Sequence, residues 1–172
     1  MSEKRKCKYY HYFVEGEDEE KIVKTLKTDL QMIAPGKIQR FNVIQEKLTK
    51  YRLLTLKKGT TVVLVFDTDT GNISTLLENI EFLKKENTVK EVLCITQVKN
   101  LEDELIRSCD IRQIRELTGS KSNKDFKRDV IRDNSLHKKL LKHKFDFEKF
   151  WTSADAAYKC INNDADRIKL TK

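Results

Sequence analysis

One short stretch near the middle of the chain limits the possible folds more than any other. Residues 62–66 are Val-Val-Leu-Val-Phe, a run of consecutive apolar side chains rich in β-branched residues. Such a run is typical of a strand buried on both faces, and strands of this kind occur mainly in parallel sheets covered by helices. The stretch therefore predicts an α/β protein in which this strand is central.

The predicted strand runs directly into two carboxylates, Asp67 and Asp69, followed by Gly71, which permits a tight turn. Open α/β sheets bind their ligands at the carboxyl edge, where this strand ends. Two carboxylates that meet there repel each other unless they are solvated or bridged by a hard cation such as Mg²⁺. The alternative is that Asp67 only ends the strand and Asp69 caps the following helix. This stretch alone leaves both interpretations open.

Length and charge narrow the class of protein further. The chain has 172 residues, which suits one compact domain, and its formal net charge is +8. The positive charge favours a polyanionic partner such as nucleic acid, because Lys and Arg side chains on phosphates release counterions. No apolar run could cross a membrane, and residues 1–8 lack the apolar core of a secretory signal, so a cytoplasmic protein is expected. The cysteines show no metal-binding spacing and are expected to be reduced thiols: Cys7, Cys94, Cys109 and Cys160.

Alternating extended and helical patterns predict a βαβαβαβ order over the first hundred residues. The predicted strands lie at residues 9–14, 37–43, 60–66 and 89–97. The predicted helices lie at residues 18–32, 44–56 and 72–86, and a further helix begins at residue 100. This order predicts a Rossmann-like α/β domain over residues 1–108, with a parallel four-stranded sheet flanked by helices.

Residues 109–172 are expected to form a basic helical extension packed on that domain. Nine Lys or Arg and only three Asp occur between residues 119 and 144. This excess favours a cationic surface for nucleic acid, although a solvated helix surface gives the same pattern. The aromatic segment at residues 145–151 is expected to pack a tail helix, residues 152–168, onto the sheet, with base stacking as the alternative.

Acidic residues follow three of the four predicted strands. Glu15 follows the first strand, Asp67 and Asp69 follow the third, and Glu102, with Glu104 nearby, follows the fourth. In a parallel sheet these ends share one edge, so the carboxylates can meet in one crevice. Crowded carboxylates are disfavoured unless divalent cations neutralise them. Beside a cationic surface, such a cluster suits phosphodiester hydrolysis, in which metals activate water and lysines hold the flanking phosphates.

Three segments together resemble the Toprim family, the catalytic domain shared by topoisomerases, bacterial primases and the OLD and RloB-like nucleases. The segments are FVEGEDEE at residues 13–20, VVLVFDTDTGN at residues 62–72 and NLEDEL at residues 100–105. The likeness covers roughly residues 8–108, and the form VEG-x-x-E looks most like the OLD/RloB branch. Gly16 and Gly71 match the turn positions of the family.

The resemblance implies a Mg²⁺ or Mn²⁺ site and a nuclease activity on DNA or RNA. Catalytic roles are implied for Glu15, Asp67 and Asp69, and Glu15 matches the family residue that acts as metal ligand or general acid–base. The implied metal ligands are the acidic residues at all three strand ends and in the first motif: Glu15, Glu19, Asp67, Asp69 and Glu102.

Departures from the family pattern restrict the expected activity. Asp18 stands where many relatives have Thr, and these residues include no ATPase domain, winged helix with an active-site tyrosine, or primase zinc motif. A small Toprim protein of this kind looks more like a nuclease of nucleic-acid processing or phage defence. No motif specifies the phosphate contacts, and the best candidates lie in the basic segment: Lys121, Lys124, Lys127 and Arg128.

Two other functions stay open from the sequence. The segment DTDTG resembles the nucleophile loop of haloacid-dehalogenase-like phosphatases, with Asp67 as nucleophile, but this interpretation leaves the acidic residues at 15–20 unexplained. The other alternative is a non-catalytic Toprim-like module that binds nucleic acid or a protein partner such as an ATPase and uses metal only structurally.

Overall fold

The computed structural model describes residues 8–153 and 155–170, and these form an α/β fold built on one parallel sheet. The strands are β1 (Tyr9–Val14), β2 (Lys37–Arg40), β3 (Thr60–Asp67) and β4 (Val89–Gln97). All neighbouring strands pair in parallel, and their order across the sheet is β2-β1-β3-β4. The predicted parallel four-stranded sheet is therefore confirmed, and only β2 is clearly shorter than predicted.

Seven α-helices occur in the described ranges, and they flank the sheet. They are α1 (Glu17–Lys24), α2 (Lys50–Leu53), α3 (Ser74–Lys84), α4 (Leu101–Ser108), α5 (Arg115–Thr118), α6 (Phe126–Arg132) and α7 (Leu136–Lys142). The first helix continues to Asp29 as a π-helical turn, so the predicted helix at residues 18–32 is confirmed close to its expected bounds. None of the helices in these ranges is both long and apolar enough to cross a lipid bilayer.

The predicted helix at residues 44–56 is wrong over most of its length. Only Lys50–Leu53 are helical, and the preceding residues form turns that two asparagine side chains hold in place. The Asn79 side chain accepts a hydrogen bond from the Leu48 N–H at 2.7 Å and donates to the carbonyl of Val43 at 2.9 Å. The apolar residues that suggested a helix in this segment pack inward from a loop. The loop forms because asparagine side chains make hydrogen bonds to its backbone groups and so compete with helical backbone hydrogen bonds.

The predicted tail helix at residues 152–168 is also wrong for the residues that are described. Only short 3₁₀ turns occur there, at Ala156–Tyr158 and Ala165–Arg167. Asp155 accepts a hydrogen bond from the Ala157 N–H at 2.8 Å, and Asp164 accepts one from the Cys94 N–H of β4 at 2.9 Å. These side chains satisfy local and strand backbone groups, which favours turns over a continuous helix.

Each face of the sheet packs against its own hydrophobic core, as the alternation of side chains along the strands requires. Alternate strand residues pack with α1 and with the C-terminal helices on one side, and with α3 and residues 41–56 on the other. Phe150 and Trp151 are 0% and 1% exposed in the first core. The expectation that the aromatic segment packs onto the sheet is confirmed, and base stacking by these two rings is wrong because they are buried.

Cys94, Cys109 and Cys160 are free thiols, in agreement with the expected reduced state. Burial raises the pKa of the Cys94 and Cys109 thiols to about 12, so neither is poised to react. The expectations for Cys7 and for the basic residues before Lys8 lie outside the described residues.

Candidate functional site

The strand order creates a ligand-binding position between β1 and β3. After β1 the chain continues to β2, on one side of the central pair of strands, and after β3 it continues to β4, on the other side. The two connections therefore run in opposite directions from the space between β1 and β3. Such a switch point opens a crevice at the carboxyl ends of the strands. Glu15 directly follows β1 and Asp67 ends β3, so both carboxylates lie at this position.

Glu15 is fixed between the two central strands by hydrogen bonds to both of its carboxylate oxygens. Its Oε2 accepts the backbone N–H of Asp67 at 2.9 Å, and its Oε1 accepts the Nδ2 of Asn42. The Asn42 side chain is itself oriented, because its Oδ1 accepts the N–H groups of Ile44 and Gln45 at 3.0 and 3.1 Å. Sequence reasoning missed Asn42, and its place just beyond a strand end is the signal that could have found it.

Asp67 is surrounded by the other predicted acidic residues. Burial raises the pKa of Asp67 to about 9, and the remaining predicted ligands each raise it further by repulsion: Glu15, Glu19, Asp69 and Glu102. Its Oδ1 atom is buried and has no hydrogen-bond partner within residues 8–153 and 155–170. The other four predicted acidic ligands therefore lie near enough to Asp67 for their charges to act on it.

The acidic first turn of α1 divides into two pairs with different surroundings. Asp18 and Glu19 are buried, and burial together with the Asp18 carboxylate raises the pKa of Glu19 to about 8. Glu17 and Glu20 instead form ion pairs with Arg40 at the end of β2. The positive end of the helix dipole favours the charges of Glu17 and Glu20. Asp18 and Glu19 face the crevice instead, where their negative charges repel each other.

Lys127 of α6 is the member of the predicted basic set that lies at the crevice. Its Nζ is 3.3 Å from Oδ2 of Asp18 and 3.7 Å from Oε1 of Glu102. Burial opposes its charge, but these two carboxylates outweigh that effect and raise the pKa of Lys127 above its ordinary value. Lys127 is therefore a charged counter-ion to the acidic residues.

The other predicted phosphate contacts lie away from these carboxylates or have other partners. Arg128 pairs with Asp125 and Asp129 of its own segment, at 3.0 Å in each case. Lys121 and Lys124 are exposed. Their role in nucleic-acid binding stays a prediction.

Glu104 has a structural position rather than a place among the crevice carboxylates. Its side chain is 0% exposed and pairs with Arg107 at 2.9 Å. Its oxygens also accept the N–H groups of Val98 and Trp151 at 2.9 and 3.0 Å. These bonds fix the loop between β4 and α4 and attach the C-terminal segment to it.

Asp69 lies in the exposed loop that follows β3. The interpretation of Asp69 as a helix cap is wrong, because α3 begins at Ser74 and the residue before its first turn is Ile73. The Asp69 charge instead acts on Asp67 and on Glu15. It is the most accessible of the predicted catalytic carboxylates.

Two residues beside the acidic crevice carry no motif and were missed by sequence reasoning. Thr68 is buried, and its hydroxyl donates to Asp155 Oδ2 and accepts the Lys99 N–H, both at 3.1 Å. Tyr158 is 2% exposed, and burial followed by the carboxylates of Asp155, Asp69 and Glu15 raises the pKa of its phenol. No sequence signal links this distant segment to β3.

The carboxylates form an acidic crevice rather than a closed set of metal ligands. Within the two described ranges, no three carboxylate, imidazole or thiol groups are close enough together to hold one ion. The chemical fit to a hard cation rests on the donor types, which are carboxylate oxygens, and on the buried Asp67 oxygen without a partner.

Comparison with known proteins gives no relative from which a function could be transferred. No protein-family model, curated protein or solved structure matches the chain.

Proposed function

We propose that this protein is a Mg²⁺- or Mn²⁺-dependent nuclease that hydrolyses phosphodiester bonds of DNA or RNA. The observation that carries the proposal is that Glu15 and Asp67 lie at the switch point of the sheet, where Glu15 accepts the Asp67 N–H at 2.9 Å and three further carboxylates are near enough to act on Asp67. Burial and then the repulsion of these carboxylates raise the pKa of Asp67, and a divalent cation would relieve the repulsion. The crevice thus has the charge and the donor atoms that a hard cation requires.

Asp67 and Asp69 would hold the cation, and Glu102 or Glu19 would have to move toward it to join them, because no three such groups in the described ranges are close enough to hold one ion. When bound, a divalent cation supplies an activated water and neutralises charge that develops on the phosphate. Glu15 is held by Asn42 and by the Asp67 backbone, which suits it to orient the reacting groups and to act as general acid–base. Lys127 would attract the phosphate backbone to the crevice.

The resemblance of the strand-end motifs to the Toprim family supports the same activity. The net charge of +8 supports a polyanionic substrate. A cytoplasmic location, within nucleic-acid processing or phage defence, is part of the proposal, and the free thiols of Cys94, Cys109 and Cys160 are compatible with a reducing compartment.

Calorimetric titration with Mn²⁺, followed by cleavage assays on labelled single- and double-stranded DNA and RNA, tests the proposal. We expect the wild type to bind Mn²⁺ and to cut at least one substrate. Asp67→Asn and Glu15→Gln should weaken Mn²⁺ binding by roughly tenfold or more. They should also lower the cleavage rate by roughly a hundredfold or more.

Asp103→Asn provides the matched control, because Asp103 lies in the first turn of α4 beside Glu102 but does not contribute to the repulsion at Asp67. This variant should bind Mn²⁺ and cleave as the wild type does. Full metal-dependent cleavage by Asp67→Asn would show that the proposed site is wrong.

A second candidate is a nucleic-acid-binding module that does not cut. The observation that favours it is the position of Lys127, whose ammonium group offsets the charges of Asp18 and Glu102 without a metal ion. Binding of oligonucleotides in EDTA, with no cleavage in either metal, would support this second function over the first. A protein partner such as an ATPase would then be the next candidate to supply an activity.

A further inference from the structure

A basic groove runs along the exposed edge of the sheet, beside β2. Its volume is about 400 Å³, and it lies between β2 and α2, where its lining includes Lys37, Ile38, Gln39, Tyr51, Arg52 and Leu54. We call this feature the β2 groove. Its polar and charged lining contains Lys and Arg but no Asp or Glu.

The β2 groove continues into a neighbouring pocket of about 240 Å³ at the amino-terminal edge of the sheet. The two cavities share Lys37 and Thr55, and the second one adds Lys8 and Lys57 to its lining, again without an acidic residue. The Lys57 Nζ lies 4.9 Å from the centre of the Tyr9 ring. Four cationic side chains thus line these two adjoining cavities: Lys8, Lys37, Arg52 and Lys57.

Two large side chains, one on α2 and one at its C-cap, are exposed at this groove. Tyr51 is 80% exposed and Leu54 is 73% exposed. Single exposed apolar residues are ordinary, but here an exposed aromatic ring lies among cations in a concave site. The Arg52 guanidinium already stacks over the Phe41 ring, 5.1 Å from its centre, so its position is defined.

We propose that the β2 groove binds a single-stranded segment of nucleic acid, with a base stacked on Tyr51 and phosphates held by Lys37 and Arg52. This inference deepens the proposed nuclease function by assigning a substrate class, and it rests on that function. An aromatic ring within a positively charged groove is the usual combination for unpaired nucleotides, since stacking needs a base face that a duplex does not expose.

The position of β2 connects the groove to the acidic crevice. The strand rises about 3.3 Å per residue, so its four residues span roughly 10 Å toward the carboxyl edge. Just beyond its end lies Asn42, which holds Glu15. A nucleic-acid strand bound in the β2 groove would have to pass Arg40, which is paired with Glu17 and Glu20, to reach the crevice.

Charge argues against a second copy of this chain as the occupant. Symmetric pairing of two copies through this groove would bring Lys37 and Arg52 of one copy toward the same residues of the other, and like charges that face one another across an interface are destabilising. An acidic peptide would match the charge but would leave Tyr51 without the planar partner that a base supplies.

Binding assays in EDTA test the inference without cleavage. The probes are a fluorescein-labelled twelve-nucleotide oligo-dT, the same length of oligo-U, and a duplex of the same length, measured by anisotropy at several salt concentrations. Tyr51→Ala should weaken single-strand binding by roughly fivefold or more, and Tyr51→Trp should keep it. Arg52→Gln should reduce the slope of log K against log salt by about 0.7, the value for one phosphate contact.

Leu141→Ala is the matched control, because Leu141 is exposed (57%) but lies on α7, outside the groove. It should bind as the wild type does. Wild-type affinity in both Tyr51→Ala and Arg52→Gln would overturn the inference. It would also be overturned if the duplex bound as tightly with the same dependence on Tyr51, or if a labelled oligoglutamate peptide bound through these residues and the oligonucleotides did not.

Failure of the inference and failure of the nuclease proposal give different results. If Tyr51 and Arg52 control binding but no metal promotes cleavage, the groove stands and the nuclease proposal fails. If Mn²⁺-dependent cleavage occurs and depends on Asp67, while Tyr51→Ala and Arg52→Gln bind normally, only the groove is wrong.

Discussion

At the scale of single residues, Asp67 shows how the acidic crevice lowers the stability of the folded protein. Burial and the neighbouring carboxylates raise its pKa from 3.8 to about 9. The folded protein therefore holds a proton on Asp67 that the unfolded chain releases above about pH 4. Near neutral pH this carboxyl therefore favours unfolding.

We predict that Asp67→Asn stabilises the protein in EDTA. The gain over the wild type should be small below pH 4 and should grow by at most about 1.4 kcal/mol per pH unit as the pH rises toward about 9, because Asn cannot ionise. Urea unfolding followed by circular dichroism at pH 4, 6 and 8 measures it. Asp103→Asn is the control, and a gain that does not grow with pH would contradict the prediction.

Lys127 makes a favourable electrostatic contribution to the stability of the same crevice. Its ammonium lies near the carboxylates of Asp18 and Glu102 and offsets part of their charge. Because Lys127 comes from α6, far along the chain from β3, the crevice depends on a segment outside the strand-end motifs. Loop residues such as Asn42 and Thr68 contribute differently, because they position backbone and carboxylate groups by hydrogen bonds and carry no charge.

At the scale of elements, the segment between β2 and β3 depends on one buried side chain. Asn79 of α3 is 2% exposed and makes hydrogen bonds to the backbone of Leu48, Val43 and Glu46. These bonds fix the loop that leads to α2, and residues of α2 line the β2 groove. The loop is thus held by a helix that packs on the same face of the sheet.

We predict that Asn79→Ala lowers the free energy of unfolding by about 2–4 kcal/mol. The truncation leaves one N–H and two carbonyl groups of the loop without partners in a buried site. Asn87→Ala, at an exposed position after α3, is the control and should have little effect. Denaturant unfolding compares the two variants, and equal stability would show that the loop is held by other contacts.

At the scale of the whole molecule, the C-terminal region completes the core rather than standing beside it. Phe126, Val130, Phe150 and Trp151 are buried in the same cluster as the strand residue Tyr12. An antiparallel bridge also joins Ile33 to Lys169, close to the last described residue. The boundary at residue 108 stays a prediction about organisation, but the packing on each side of it is shared.

We therefore predict that the full chain unfolds in one cooperative transition and that a fragment of residues 1–108 does not. The fragment would expose the sheet face that the C-terminal helices and Trp151 cover. Far-ultraviolet circular dichroism and Trp151 fluorescence should give the same midpoint for the full chain. A cooperative transition in the fragment, with its own denaturant midpoint, would show instead that residues 1–108 form an independent domain.

How much of the fold could be predicted depends on how strongly each element is marked by its own sequence pattern. β1 and β4 have the predicted bounds, and β3 ends one residue later than predicted, because segments rich in apolar, aromatic and β-branched residues are typical of strands. The helices expected at residues 44–56 and 152–168 are mostly absent from the described residues, because side-chain hydrogen bonds from Asn42, Asn79, Asp155 and Asp164 set the backbone there. Such bonds depend on partners far along the chain, which periodicity does not report.

The sequence by itself determined the α/β class, the four parallel strands and the acidic residues at their ends, since each of these follows from a local pattern. Only the tertiary structure decided the strand order β2-β1-β3-β4, which places Glu15 and Asp67 on the two sides of one crevice. It also decided which lysine reaches that crevice and that Tyr158 lies beside it. The physical reason is that distances between elements are set by the packing of both faces of the sheet, and no local pattern specifies that packing.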